Sequence, residues 1–212
     1  MAIQKDKGLI EKSLLENHTF IAGTDEVGRG CLAGPVYAAA TVLDYEKLDK
    51  LTAKQKKLIR DSKTLSKKQR EDCVSWLPDL CVDYGIGFAE VAEIETLGIL
   101  KASFLAMQRA LQKLRVKIEF LLIDGKQNLT GLKTPQQAVV KGDSLCFCIA
   151  AASIFAKEAR DGFMLEQSKI YPHYSFQDHV GYGTKKHQEA LECFGIPRCI
   201  EEIMLQLEIL CQ

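Results

Sequence analysis

Hydrophobic and polar positions in the first part of the chain predict one short helix followed by three strands. Residues 8–17 place their apolar side chains on one helical face. Three later segments are rich in β-branched, aromatic and small residues: TFIAG at 19–23, VYAAATVL at 36–43 and VDYGIGFAEV at 82–91. Because turn-forming residues separate these segments, the pattern also predicts antiparallel neighbours.

The middle of the chain combines a helix with a buried strand. Residues 94–114 carry apolar side chains at helical spacing, and the apolar run IEFLLIDG at 118–125 predicts a buried strand. Strands that come first and then alternate with helices predict a mixed sheet covered by helices in an α/β domain. The whole chain, 1–212, is expected to be one domain, with about 184–212 as a helical C-terminal part.

The last third of the chain is predicted to be helical. A long helix is expected to follow KGD at 141–143 and to run through 144–169. It should stop at YPHY, because Pro172 cannot continue the hydrogen-bond ladder. Two more helices are predicted at 184–195 and 199–210.

Composition adds little that is specific to one function. The 212 residues include 28 Lys and Arg and 28 Asp and Glu, so a site for a polyanion must depend on local clustering of charge. No apolar run reaches the roughly 20 residues of a membrane span, and the N-terminus lacks the apolar core of a signal peptide. We therefore expect a cytoplasmic, monomeric protein without a membrane partner.

The cysteines do not form a recognisable metal or disulfide pattern. The chain has 8 Cys, with no C-x-x-C pair and no nearby His at zinc-ligand spacing. Several lie in apolar stretches such as SLCFCIAAA, where cysteine behaves as a small hydrophobic residue. They are expected to be free thiols in a reducing compartment.

Candidate metal ligands lie where predicted strands end. Asp25 and Glu26 close the first strand, and Asp124 closes the later buried strand. Two adjacent carboxylates raise each other's pKa unless a cation lies between them, which favours a hard divalent ion such as Mg²⁺ or Mn²⁺. The alternative interpretations are a solvated acidic pair at a strand end and an Asx turn after Asp124.

Two further acids accompany the predicted long helix. Asp143 of KGD is a candidate ligand and also a candidate N-cap, and separate oxygens of one carboxylate can fill both roles. Asp161 is expected on the helix beside Arg160. We interpret Asp161 as part of a surface or supporting ion pair rather than as a ligand.

Candidate phosphate-binding and sugar-binding residues are flanked by glycines or by basic residues. Arg29, between Gly28 and Gly30, can hold phosphate through paired hydrogen bonds while the glycines let a ligand approach the backbone. Residues 54–70 hold eight Lys or Arg against one acid, which indicates either a solvated helical face or a phosphate-binding surface. Tyr182, also between glycines, is expected to be accessible for stacking on a base or sugar, or else to pack a loop.

Six segments occur in a fixed order from about residue 21 to 192: GTDEVGRGCLAGPVYAAATVL, DSKTLS, LLIDG, VVKGD, IAAASIFAKEARD and GYGTKKHQEAL. Together they resemble the ribonuclease HII family, the type 2 ribonucleases H. The ordered set is far more specific than any one of its members. The resemblance implies a ribonuclease H-like fold, with a mixed five-stranded sheet flanked by helices and a helical C-terminal part.

The resemblance also implies an activity and a set of site residues. The family cuts RNA in RNA–DNA hybrids and nicks duplex DNA 5′ of embedded ribonucleotides, using Mg²⁺ or Mn²⁺ and leaving 5′-phosphate and 3′-hydroxyl ends. Hybrids and ribonucleotide-containing duplexes are therefore the expected partners. Matched by motif, the family's catalytic and metal-binding acids fall on Asp25, Glu26, Asp124 and Asp143. The expected substrate-binding residues are Gly28, Arg29 and Gly30 for the sugar, Tyr182 for the junction and Lys63 for phosphate.

One position departs from the family's pattern, and two other classes of function stay open. Val180 precedes GYGT where the family commonly has a lysine, and Lys185 or Lys186 could supply that basic contact. A catalytically silent hybrid-binding module is the first alternative. A nucleotide-binding regulatory domain is the second, although the chain lacks both a Walker loop and a dinucleotide-binding fingerprint.

Overall fold

A five-stranded mixed sheet forms the centre of residues 7–195, the part of the chain that the computed structural model describes. Its strands are β1 (Ile21–Val27), β2 (Val36–Leu43), β3 (Cys81–Ala89), β4 (Phe120–Asp124) and β5 (Gln136–Val139). Across the sheet the order is β3-β2-β1-β4-β5. Strand β2 is antiparallel to both of its neighbours, β1 and β3, whereas β1, β4 and β5 are parallel. The predicted mixed five-stranded sheet is therefore confirmed.

The register of the two central parallel strands places two candidate acids side by side. Thr24 on β1 pairs with Ile123 on β4. Asp25 and Asp124 are the next residues on these neighbouring strands. Because parallel strands end at the same edge of a sheet, their carboxylates meet where the apolar part of the sheet stops.

Helices cover both faces of the sheet. The helices before β4 are α1 (Leu9–Leu14), α2 (Tyr45–Lys50), α3 (Ala53–Leu58), α4 (Lys67–Val74), α5 (Leu77–Leu80), α6 (Val91–Leu97) and α7 (Ile99–Gln112). The later ones are α8 (Gly142–Leu145), α9 (Phe147–Ile170), α10 (Phe176–His179) and α11 (Lys185–Phe194). Short 3-10 turns lie at Ser62–Thr64 and Pro172–Tyr174.

Two long helices pack directly on the sheet because glycines let them approach. Helix α9 crosses one face over β1 and β2, and α7 covers the opposite face over β2 and β3. A methyl group added at Gly23 of β1 would lie 2.4 Å from the backbone nitrogen of Ile149. At Gly87 of β3 it would lie 2.4 Å from the carbonyl oxygen of Ala106. The close packing positions α9 beside the carboxylate edge.

The structure divides both of the long predicted helices. The helix expected over 94–114 is broken at Gly98, whose φ of 75° belongs to the left-handed region. The helix expected over 144–169 is broken at Cys146, whose extended backbone (φ −117°, ψ 137°) separates α8 from α9. The break turns α8 away from the axis of α9 and leaves it beside the end of β4.

Several sequence predictions concern the ends of the chain and the cysteines. The cysteines within residues 7–195 are free thiols, as expected. The predicted helix at 184–195 corresponds to α11, whereas the one at 199–210 lies outside the described residues. None of the helices in the described part of the chain is long and apolar enough to span a bilayer. The expected monomeric state stays a prediction.

Candidate active site

The carboxylate edge of the sheet is built around Asp25, which the structure holds in a buried position. Its relative exposure is 6%. The prediction that Asp25 and Glu26 close the first strand is wrong, because β1 stays paired with β2 as far as Val27, although its pairing with β4 ends at Thr24. Oδ1 of Asp25 accepts a hydrogen bond of 2.7 Å from the backbone nitrogen of Glu26. The side chain of Ser153 on α9 partly offsets the effect of burial by lowering the pKa of Asp25. The hydrogen bond from Glu26 holds the carboxylate ready to act as a ligand.

Asp124 and Asp143 reach the same edge from β4 and α8. Oδ1 of Asp124 accepts a 2.7 Å hydrogen bond from the backbone nitrogen of Gly142, which connects the end of β4 to the start of α8. The left-handed conformation of Lys141 (φ 57°) makes this turn, and Asp143 then lies in the first turn of α8. The N-cap role that Asp143 was expected to have is therefore wrong, because Lys141 precedes α8 and Cys146 precedes α9.

Electrostatic repulsion connects these acids. Burial raises the pKa of Asp25 well above its usual range, and the charges of Glu26 and Asp124 raise it further. Burial is also the main cause that raises the pKa of Asp124, and the charge of Glu26 adds to it. The pKa of Asp143 is raised by burial, then by the charges of Asp61 and Asp124. The sequence prediction that these side chains share one edge is therefore supported by their mutual influence.

The donor set fits a hard divalent cation, although the side chains do not yet enclose one. Within residues 7–195, no three His, Cys, Asp or Glu side chains are arranged closely enough to hold a metal ion. One reason is visible at Glu26, whose Oε1 forms an ion pair of 3.0 Å with Nη1 of Arg29. Carboxylate oxygens are the ligands that Mg²⁺ and Mn²⁺ prefer. A bound cation would also relieve the repulsion that raises the pKa of Asp25.

The side of α9 that faces the site carries a charge network that sequence reasoning missed. Ser153, Lys157 and Asp161 are spaced four residues apart and lie on one helical face. Asp161 accepts from Nζ of Lys157 at 2.8 Å and from Nη2 of Arg70 on α4 at 3.0 Å. Arg70 also pairs with Glu158 at 2.6 Å. Asp161 is therefore part of an ion-pair network, as expected. The four-residue spacing of Lys157 and Asp161 was the signal that could have identified this pair in the sequence.

Arg160 is a second residue whose role the sequence did not reveal. Its side chain is fully buried, and it donates to three backbone carbonyl oxygens: Ala33 at 2.8 Å, Pro35 at 3.0 Å and Val180 at 2.7 Å. The first two belong to the segment that follows the glycine loop, and Val180 belongs to the segment that carries Tyr182. Arg160 thus joins the two loops in which the substrate-binding residues are expected.

The loop of Gly28, Arg29 and Gly30 follows β1 directly. Gly28 has a φ of 107°, so the left-handed region that favours glycine is required there. Gly30 has no positive φ, and the space around its Cα is open. Of these two glycines, only Gly28 has a backbone conformation that requires glycine. Arg29 and Gly30 are both exposed, which leaves their backbone open to a ligand.

Tyr182 lies across from the glycine loop. Its backbone forms an isolated antiparallel bridge with Cys31, and its ring lies 5.3 Å from Nζ of Lys157 in a cation–π contact. Burial raises the pKa of the Tyr182 hydroxyl, and the side chain is only partly exposed, less than its flanking glycines predicted. The ring is therefore partly buried against Lys157, and the backbone bridge to Cys31 holds Tyr182 next to the segment that follows Gly30.

The basic residues proposed near Tyr182 are engaged elsewhere. Lys185 forms an exposed ion pair with Glu189 at 3.6 Å, and Lys186 pairs with Asp178. Val180 has a φ of 45°, an uncommon conformation for a β-branched residue. Its carbonyl oxygen, bound by Arg160, is the part of Val180 that contacts the site.

Lys63 lies in the 3-10 turn Ser62–Thr64 and is exposed at the acidic edge. Its positive charge lowers the pKa of Asp124, against the larger effect of burial, which raises it. Lys63 is therefore near enough to the carboxylates to act on a phosphate that is bound there.

The mixed sheet in the order β3-β2-β1-β4-β5, with its flanking helices, has a ribonuclease H-like fold. The crystal structure of ribonuclease H2 from Pyrococcus horikoshii OT3 matches with a TM-score of 0.72 and 23% identity, over 92% of this chain and 100% of that one. The crystal structure of Bst-RNase HIII in complex with Mn²⁺ matches with a TM-score of 0.62 and 18% identity, over 83% of this chain and 70% of that one.

Sequence comparison identifies the family. A family model described as ribonuclease HII matches residues 22–199. Ribonuclease HII of Trichodesmium erythraeum (strain IMS101) is 44% identical over 197 residues, which cover 92% of this chain and 90% of the relative. The chain belongs to the ribonuclease HII family. It is accordingly a type 2 ribonuclease H, a hydrolase of the class that cuts RNA–DNA hybrids internally.

Proposed function

We propose that this protein is a metal-dependent endonuclease that cuts RNA in RNA–DNA hybrids and nicks duplex DNA 5′ of embedded ribonucleotides. Its products would carry 5′-phosphate and 3′-hydroxyl ends. The observation that carries the proposal is the gathering of acids from β1, β4 and α8 at one edge, where burial and mutual repulsion raise the pKa values of Asp25, Asp124 and Asp143. Acids that repel one another in this way are suited to divalent cations.

The residues proposed to hold Mg²⁺ or Mn²⁺ are Asp25, Glu26, Asp124 and Asp143. When bound, divalent ions of this kind activate water and stabilise the leaving oxygen of a phosphodiester. Glu26 can enter the set because its partner Arg29 has a side chain that is 46% exposed, and exposed ion pairs are weak. Release of that ion pair would also free the guanidinium of Arg29 to bind a substrate phosphate.

The glycine loop is proposed to distinguish RNA from DNA. A 2′-hydroxyl both donates and accepts hydrogen bonds, and the exposed backbone at Arg29 and Gly30 can provide partners for it. Tyr182 would stack on the sugar that follows the ribonucleotide, and Arg160 would keep its loop in register with the glycine loop. Lys63 would contact a phosphate at the edge of the acids.

Cleavage of a DNA duplex that contains one ribonucleotide tests this proposal. We expect a single nick on the 5′ side of the ribonucleotide in Mg²⁺ or Mn²⁺ and none in EDTA, with both product ends mapped chemically. An all-DNA duplex of the same sequence is the control. Cleavage on the 3′ side, or cleavage that persists in EDTA, would contradict the proposed chemistry.

A catalytically silent hybrid-binding module is the alternative. Retention of all four candidate acids counts against it, because binding alone does not need buried carboxylates next to phosphate. A protein that binds the hybrid but releases no product at any Mg²⁺ or Mn²⁺ concentration would favour the silent module.

A further inference from the structure

A basic cleft of about 690 Å³ lies beside the carboxylate edge, on the side of α3. Its lining includes an aromatic ring and four cationic side chains: Phe147, Lys7, Lys56, Lys57 and Arg60. We call this the α3 cleft. The single acid in its lining is Asp61. The sequence had left open whether the basic residues of 54–70 form a solvated face or a binding surface, and part of them lines a cavity.

The positive charge of the α3 cleft is only partly neutralised by the protein. Asp61 serves the adjacent 3-10 turn, where its carboxylate accepts from the backbone nitrogen of Lys63 at 2.9 Å. Across residues 7–195, neither Lys57 nor Arg60 has a carboxylate within ion-pair distance. Nη2 of Arg60 donates to the carbonyl oxygen of Thr64 at 3.4 Å, and its Nε is buried without a partner. An anion in the cleft would offset the positive charge that Lys57 and Arg60 leave there.

The cleft is continuous with the proposed catalytic edge. Nζ of Lys7 donates to the backbone oxygen of Asp143 at 2.7 Å, and Ser144, the next residue, lines the cleft. A strand whose scissile phosphate lies at Asp143 can therefore extend past Ser144 between the basic side chains.

We propose that the α3 cleft binds backbone phosphates of the nucleic-acid substrate beyond the scissile phosphate. This inference rests on the proposed function, because it assumes that the scissile phosphate of the nucleic acid lies at the acids of the edge. Its occupant is a phosphodiester chain, because a row of cations that opens towards a cleavage site suits a repeating polyanion. Lys57 and Arg60 are the expected contacts, because both line the cleft and neither forms an ion pair with a carboxylate in the described part of the chain.

The salt dependence of DNA binding tests the cleft without requiring catalysis. Affinity for an all-DNA duplex would be measured by fluorescence anisotropy between 50 and 200 mM salt for the full chain and for the double variant Lys57→Gln/Arg60→Gln. Loss of two phosphate contacts should make the slope of log K against log salt less steep by about 1.8. The ratio of the parent's binding constant to the variant's should therefore fall roughly tenfold between 50 and 200 mM salt. Circular dichroism would verify that the variant is folded.

A matched variant controls for net charge. Lys101→Gln/Lys117→Gln removes two exposed lysines that do not line the cleft and should keep the parent's slope. A charge-preserving variant, Lys57→Arg/Arg60→Lys, should restore most of the slope. If Lys57→Gln/Arg60→Gln has the same slope as Lys101→Gln/Lys117→Gln, the cleft does not bind backbone phosphate.

The outcomes separate the cleft from the proposed reaction. The parent protein could fail to cleave a ribonucleotide-containing duplex while the Gln variant shows the predicted change in slope. That result would refute the proposed reaction and support phosphate binding in the α3 cleft. If the parent cleaves as proposed and the Gln variant has the slope of Lys101→Gln/Lys117→Gln, the proposed reaction stands and phosphate binding in the α3 cleft is refuted.

Discussion

Gly28 lies directly against the guanidinium of Arg160. A methyl group added at Gly28 would lie 2.7 Å from Nε of Arg160 and 3.0 Å from the carbonyl oxygen of Pro35, and the backbone there has a φ of 107°. Arg160 uses the same Nε to donate to that carbonyl at 3.0 Å. The space that glycine leaves is thus filled by a buried arginine that holds both substrate loops.

Gly28→Ala should therefore be much more damaging than Gly30→Ala. The first substitution forces a side chain into a left-handed backbone and into Arg160, which should lower the free energy of unfolding by about 1 to 3 kcal/mol. The second places a methyl group in open space without a positive φ and should stay within about 0.5 kcal/mol. Urea unfolding of both variants provides the measurement, and equal losses would contradict the contact.

Arg160→Lys tests whether the shape of the guanidinium is needed as well as its charge. A lysine keeps the charge, but its single nitrogen cannot donate to the carbonyls of Ala33, Pro35 and Val180 at once. Each buried carbonyl left without a donor costs roughly 1 to 3 kcal/mol, so the variant should be clearly less stable than the parent. Cleavage of single-ribonucleotide duplexes should also fall more than cleavage of long hybrids. A lysine variant with the parent's stability would show that charge alone suffices.

Asp25→Asn should abolish cleavage while making the metal-free protein more stable. Burial and neighbouring charges raise the pKa of Asp25 in the folded state well above 3.8, so the folded protein holds this proton more tightly than the unfolded chain. The associated stability is present at low pH and is lost as the pH rises through the folded pKa. Because an asparagine does not ionise, the variant avoids this loss. The Tm of Asp25→Asn minus that of the parent should therefore grow from pH 4 to pH 8, by about 2 to 4 °C for each kcal/mol of stability.

Mg²⁺ provides the converse measurement for Asp25. The cation should raise the Tm of the parent at pH 8 and have less effect on Asp25→Asn, because the variant lacks a ligand. Asp72→Asn, at an exposed position on α4, serves as the control for loss of one negative charge. Equal turnover in the Asp25 variant and the parent would refute the metal assignment.

Much of the fold could be predicted because strands and turns depend largely on residues that are neighbours in the sequence. The segment at 36–43 was predicted with the bounds of β2, and Asp124 was placed at the end of its strand as observed. Asp25 was placed at the end of the first strand, whereas β1 continues to Val27 through its pairing with β2. β5 was not identified from its residues, since QQAV at 136–139 has no clear alternation of apolar and polar side chains. Its strand conformation depends on pairing with the apolar β4.

Long-range contacts explain why parts of the site could not be predicted. Arg160 is adjacent to Asp161 in the sequence, yet its partners are carbonyls more than a hundred residues earlier and 20 residues later. The bridge between Cys31 and Tyr182 joins residues that are even farther apart in the sequence. The break at Cys146 was hidden because SLCFCIAAA has continuous helical patterning, and only packing against β4 reveals it.

Asp161→Ala should reduce activity less than Asp143→Ala. Asp161 acts through Lys157 and Arg70 and holds the charged face of α9, so we expect a loss of about ten- to a hundredfold, typical of a group that orients ligands. Asp161→Glu should recover part of the rate, and the Mg²⁺ concentration for half-maximal activity should rise in Asp161→Ala. If the folded Asp161→Ala protein lost as much kcat as Asp143→Ala, Asp161 and not Asp143 would be the fourth ligand.

Tyr182→Ala should lower the preference for a single ribonucleotide. Aromatic stacking on a nucleotide is worth roughly 1 to 3 kcal/mol, so kcat/KM on the single-ribonucleotide duplex should fall by about ten- to a hundredfold. Tyr182→Phe should be mild, because the ring supplies the stacking surface and the contact with Lys157. Long hybrids, which have no unique junction, should suffer less, since the loop of Arg29 still engages the 2′-hydroxyl and phosphate. The measurement is the ratio of kcat/KM on the two substrates for the parent and both variants, with thermal unfolding as a check on the bridge to Cys31. A folded Tyr182→Ala protein with an unchanged ratio would mean that Tyr182 only packs its loop.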